Sequence, residues 1–147
     1  MATIVESVEI ARRPEDVFAY VTDPDHLAEW QESVVSARCE GDRPVSVGSR
    51  VVVIRHVGSR DMTMTAEFSE LHSPTTWGVR GIDGPVRGMV KGKIDPIDSG
   101  ERSRVTIELD FEAHGLGKLL VPLLVRRQAG AEMPKNMQNL KQQLEGG

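Results

Sequence analysis

The chain has 147 residues, 39% of them hydrophobic and 27% charged, a length and composition that suit one hydrophobic core in one domain spanning 1–147. A net charge of −4 argues against a nucleic-acid binder, which needs a concentrated basic surface. One cysteine, Cys39, rules out an intramolecular disulfide, and "MATIVESVEIARR" carries no apolar leader; the expectation is a cytoplasmic domain without membrane insertion.

In chain order, "TIVESVEIA" partly alternates and predicts a strand. "ARRPEDVFAYV" then places Pro14 where a first helical turn accepts it, with Glu15 and Asp16 at the positive end of the helix dipole. Val17, Phe18 and Val21 share one face of this helix. Asp23 caps a second short helix with Pro24 at its first position, and Leu27 and Trp30 lie three apart on one side of it. From there the period changes to two. "SVVSARC", "RVVVIRHV", "MTMTAEF", "TWGVRG", "VRGMVKGKI" and "RVTIELDFEAH" predict six strands. Met62, Met64, Ala66 and Phe68 fall on one side of the third of these, and Val105, Ile107, Leu109, Phe111 and Ala113 on one side of the last. A helical pattern runs from Gly115 to about Glu145, with Met133, Met137, Leu140 and Leu144 on one face. Pro122 and Pro134 are expected to kink or restart it.

The segments "VEIARRPEDVFAYVTDPDHLAEW", "VGSRVVV", "AEFSELHSPTTW" and "GLGKLLVPLLVRR…NLKQQLE" carry a resemblance that covers essentially the whole chain. The sequence resembles the helix-grip fold of the START-like SRPBCC superfamily, in particular its polyketide cyclase/dehydrase-like branch. That resemblance implies an α+β fold: an antiparallel seven-stranded sheet curled around a long C-terminal helix, two short helices after the first strand, and a ligand cavity between sheet and helix. It implies no cofactor. Superfamily members include lipid carriers, hormone receptors, aromatic-polyketide cyclases, quinone-binding proteins and chaperone activators, so fold alone does not give function.

Turn chemistry sets the expected registers. Gly58-Ser59, Asp83-Gly84 and Ser99-Gly100 each suit a two-residue hairpin. The first pairs Val53 with Met64 and Arg55 with Met62. The second pairs Val79 with Gly88 and Trp77 with Val90, and sets Arg80 opposite Arg87. The third pairs Val90 with Leu109 and Gly88 with Phe111, leaving Arg87, Lys91, Glu108 and Glu112 as a solvated outer ladder. These registers put glycines and apolar residues on one face and charges on the other, as one-sided burial demands. Gly88 and Gly92 let the strand bend and leave room on the concave face.

Arg55 is the conspicuous polar residue with inward parity. It meets a ligand oxyanion, or it pairs with Glu6, which shares the inward parity of Val8 and Ile10, or it snorkels to the rim. His26, His56, His72 and His114 show no ligand spacing with one another or with Cys39, so no metal site is expected. His56 is placed outward, opposite Asp61. His114 reaches toward the mouth with no orienting partner, and no catalytic residue is assigned. The expected ligand-contacting set is Trp30, Val53, Arg55, Met62, Met64, Trp77, Val79, Val90, Leu109, Phe111, Gly130, Met133 and Met137, in which thioethers supply an adaptable wall. Three functions fit. The first is binding of a small hydrophobic molecule (lipid, polyketide or isoprenoid-like, acids included). The second is a polyketide cyclase or dehydratase using the same cavity. The third is a protein-interaction module of the chaperone-activator kind.

Overall fold

The computed structural model describes residues 3–83, 86–113 and 121–146. Strand β1 (Ile4–Ile10) leads into helix α1 (Pro14–Val21). Pro14 opens α1, and the amides of Asp16 and Val17 both donate to the Arg13 carbonyl, at 3.0 and 3.1 Å. The buried Thr22 closes it, its amide and its hydroxyl both donating to the Phe18 carbonyl. Asp23 then accepts from the Asp25 amide at 3.0 Å, capping a single 3-10 turn (Pro24–His26) that continues directly into α2 (Leu27–Trp30). Val17, Phe18, Val21 and Trp30 are buried, as their spacing predicts.

The strands that follow are β2 (Val34–Glu40), β3 (Arg50–Val57), β4 (Arg60–His72), β5 (Thr76–Gly81), β6 (Val86–Ile97) and β7 (Arg102–Ala113). They form one antiparallel seven-stranded sheet in the order β1-β7-β6-β5-β4-β3-β2. Helix α3, described over Val121–Gly146, lies against β1 and β7. This is the predicted helix-grip arrangement.

Two of the three predicted registers hold. At the β3–β4 turn, Gly58 takes φ 62°, and Val53 pairs with Met64, Arg55 with Met62 and His56 with Asp61. At the β6–β7 turn, Ser99 and Gly100 have φ of 58° and 86°, and Gly88 pairs with Phe111, Val90 with Leu109 and Lys91 with Glu108. The β5–β6 register differs by two residues: Val79 faces Val90, Trp77 faces Gly92, and Arg80 faces Met89. A side chain at Gly92 would start 2.2 Å from the Trp77 ring, so the buried indole occupies the space over that glycine and selects the pairing. A slip of two preserves inside and outside, so the burial pattern survives it. It also removes the expected Arg80–Arg87 clash, and the Arg80 guanidinium donates to Glu67 Oε1 instead. Gly84 lies outside the described residues, as do His114 and the stretch from Gly115 to Leu120 in which the long helix was expected to begin.

The core joins Val8, Ile10, Ile94, Val105 and Ile107 of the sheet to Met133, Met137, Leu140 and Leu144 of α3. Each such side chain contributes about 1.5–3 kcal/mol by leaving water. Pro134 does not restart α3, which is continuous through it. Hydrogen bonds stitch the helix down along its length. Gln128 bonds the His56 carbonyl and the Gly58 amide, Asn136 accepts from the Glu32 amide, and Asn139 donates to the Trp30 carbonyl. At its end Arg12 donates to the Leu144 carbonyl, and Glu145 accepts from the Ala11 amide. A second apolar cluster, Val34, Val51, Val53 and Phe68, fills the β2–β4 side.

Candidate functional site

Between the two clusters lies a cavity of about 210 Å³. For scale, an apolar cavity of about 150 Å³ already admits benzene. Most of its wall is apolar. From the sheet come Val53, Met62, Met64, Trp77, Val79, Val90, Leu109 and Phe111, and from the helices Trp30 and Met133, all predicted from strand parity and helix spacing. The period-two pattern works here because each strand turns one face to the cavity.

Two predicted residues lie elsewhere. Met137 is fully packed in the core rather than in the wall. Gly130 is exposed, and a β-carbon there would meet only Ile4 Cδ1 at 4.0 Å. Gly130 was expected inward because a glycine midway along the long helix costs helix propensity, but α3 turns two neighbouring stripes inward and Gly130 lies on neither. Val125, Ala129, Glu132 and Asn136 recur at four, three and four residues and front the cavity, while the methionine–leucine stripe fills the core.

Arg55 does enter the cavity wall, but Glu6 is not its partner. Its Nη1 donates to Ser33 Oγ at 2.7 Å and its Nη2 to Gln31 Oε1 at 2.8 Å. The carboxylate facing it is Glu132 of α3, with Oε2 at 3.8 Å from Nη1, too long for a direct hydrogen bond. Glu132 is itself held, since its Oε1 accepts from the Ser33 amide at 2.5 Å and its Oε2 from Ser33 Oγ at 3.1 Å. The side chains keep 24% (Arg55) and 12% (Glu132) of their surface accessible, so both still present atoms to the cavity. Burial lowers the Arg55 pKa from its ordinary value, opposed by the charge of Glu132. An arginine stays charged through such a shift, so the cluster is an ion pair bridged by a serine.

Sequence reading missed Glu132, Ser33 and Gln31. The available signal was Gln128, Glu132 and Asn136, a polar row at four-residue spacing beside an apolar stripe, on a helix expected to be gripped. Five further polar wall residues are already engaged. Thr22 donates to the Phe18 carbonyl, Asp23 takes the Asp25 amide and Arg43, Asp83 accepts from the Thr65 amide, and Gln128 and Asn136 hold backbone. The Trp30 indole borders the cavity, yet its Nε1–H is enclosed and has no acceptor among the described residues. His56 lies outside the site, its Nδ1 2.7 Å from Asp61 Oδ1 on the outer surface. No group of three or more metal-ligating side chains occurs among the described residues, and none of their helices is long and apolar enough to cross a membrane.

Solved structures share this architecture. A START superfamily protein from Mycobacterium smegmatis superposes with a TM-score of 0.79 at 15% identity, over 98% of this chain and 97% of its own. A protein from Thermus thermophilus gives 0.79 at 16% identity, over 97% of each chain. The Zhui aromatase/cyclase from a Streptomyces species gives 0.74 at 13% identity, over 97% of this chain and 94% of its own. At such identities the likeness concerns the fold alone. No curated protein matches the sequence. The family model described as polyketide cyclase/dehydrase and lipid transport matches residues 1–145, and the chain belongs to that family.

Proposed function

We propose that this chain, acting as one domain, binds a small and mostly apolar molecule in the cavity between the concave sheet face and α3. The observation that carries the reading is a mainly apolar wall that, among the described residues, carries the polar cluster Arg55–Ser33–Glu132. Small-molecule sites have this form, with an apolar enclosure and a few placed polar groups that fix orientation. Lipids, polyketides and isoprenoid-like molecules are the candidate classes, and Trp30, Val53, Met62, Met64, Trp77, Val79, Val90, Leu109, Phe111 and Met133 the candidate contacts. A protein-docking role has less support. The exposed large apolar residues Val5, Val35, Val47 and Met89 lie on β1, β2, the β2–β3 connection and β6, with β1 and β2 at opposite edges of the sheet. The single cysteine and the acidic composition fit a cytoplasmic carrier.

Native mass spectrometry of protein purified from its own source tests this directly. A co-purifying apolar molecule, displaced by an added hydrophobic probe, is the expected result. Protein that carries nothing and binds no such probe would refute the reading.

One observation favours an enzyme as the second reading. Glu132 is a carboxylate in the cavity wall, oriented by Ser33 and Arg55, and so is placed to move a proton on a bound molecule. Glu132→Gln separates the two roles, because an enzyme loses turnover of a poly-β-ketone substrate mimic while retaining its binding. Absence of turnover in the unaltered protein would leave the carrier reading alone.

A further inference from the structure

The charges around the cavity are matched before any ligand enters. Among the described residues its wall carries one cation, Arg55, and three carboxylates, Glu132, Asp23 and Asp83. The Ser33 hydroxyl joins the first pair, accepting from Arg55 Nη1 at 2.7 Å and donating to Glu132 Oε2 at 3.1 Å, while Gln31 Oε1 takes Nη2. A serine hydroxyl can do both at once, its proton going to the carboxylate and a lone pair to the guanidinium. Asp23 faces Arg43, which lies outside the wall, with Nη1 3.3 Å from Oδ1. Asp83 takes the Thr65 amide at 2.8 Å.

Among the described wall residues no cation is therefore left over for a ligand anion, although the inward parity of Arg55 in the sequence suggests that role. A carboxylate that approached the guanidinium would also meet the Glu132 charge, whose Oε2 lies 3.8 Å from Nη1. Attraction and repulsion then oppose one another, and the acid has given up its water in a mainly apolar wall. An uncharged molecule meets neither penalty and needs no partner from a cluster already closed on itself. Glu132 is the member whose charge decides whether Arg55 is free. An amide of the same shape in its place keeps an acceptor for the Ser33 amide and leaves the guanidinium without its countercharge.

Resting on the ligand-binding reading above, we infer that the cavity selects uncharged ligands and excludes carboxylic acids, and that Glu132 sets this selectivity by neutralising Arg55. The nearly isosteric pair 2-methylnaphthalene and 2-naphthoate, compared calorimetrically with the full chain at pH 7, tests it. Methylnaphthalene is expected to bind at least about tenfold tighter than naphthoate. In Glu132→Gln the naphthoate-to-methylnaphthalene affinity ratio should rise about tenfold or more, the factor typical of a charge-assisted contact. A Glu132 that served packing alone would move both ligands together and leave that ratio unchanged, which would overturn the inference. Naphthoate binding as tightly as methylnaphthalene to the unaltered chain would also overturn it, and that comparison decides the matter even if the variant fails to fold. If methylnaphthalene itself does not bind, the apolar-cavity reading falls, and this inference with it. If methylnaphthalene binds and naphthoate equals it, only this inference falls.

Discussion

Ala129 and Gly130 are neighbours on α3 with opposite surroundings, and that difference tests the cavity. Ala129 fronts it, whereas Gly130 is exposed with only Ile4 Cδ1 at 4.0 Å from a notional β-carbon. Ala129→Leu adds three carbon atoms, each comparable to a water molecule's share of about 30 Å³, to a space of about 210 Å³. Burying them contributes at most about 2.4 kcal/mol at roughly 0.8 kcal/mol per methylene, so stability is expected to hold or rise. Gly130→Leu recovers most of the roughly 0.8–1 kcal/mol of helix propensity that separates glycine from alanine and leaves the cavity unchanged. In a chain of this size each kcal/mol moves the melting temperature by roughly 2–4 °C. Thermal melts and titration with an environment-sensitive hydrophobic dye measure both effects. The expected outcome is that Ala129→Leu abolishes dye binding without a lower melting temperature, while Gly130→Leu melts about 2–4 °C higher and binds dye normally. A fall of several degrees for Ala129→Leu would show a filled, close-packed interior, and loss of dye binding in Gly130→Leu would show that α3 faces the sheet differently.

Gly92→Ala should destabilise by about 1–3 kcal/mol through overpacking, since its β-carbon would start 2.2 Å from the Trp77 ring. Gly88→Ala meets only Phe111 at 3.6 Å and should be nearly neutral in the same denaturant titration; equal effects at the two sites would remove the steric explanation of the β5–β6 register. Acid should loosen the surface ties around α1, α2 and the end of α3. Glu9 is held below its usual carboxylate pKa by Arg104, Asp25 by Arg43, Glu29 by Tyr20 and Glu145 by Lys141. Groups depressed in the folded state stabilise it above their unfolded pKa, and that contribution is lost as pH falls through the folded values. The melting temperature should therefore drop as pH is lowered below about 4.5; a flat profile from pH 5 to 3 would contradict this.

Much of the fold was legible because its signals are local. Pro14 and Asp23 start helices wherever they sit, Gly58 and the Ser99-Gly100 pair adopt left-handed turns without outside help, and period two assigns each strand residue to a face. Parity alone therefore placed Val53, Met62, Met64, Leu109 and Phe111 in the cavity wall. Three decisions belonged to tertiary structure. The β5–β6 register followed where the Trp77 indole could lie, over Gly92, and a shift of two leaves no trace in an alternating pattern. Which stripe of α3 fronts the cavity depended on how the helix is rotated against the sheet, so Ala129 rather than Gly130 faces inward. The partner of Arg55 came from a helix far along the chain, because a buried guanidinium takes the carboxylate that packing brings nearest, and that is Glu132 rather than Glu6. Periodicity records which way a residue points, whereas the group it meets there is set by the packing of elements distant in sequence.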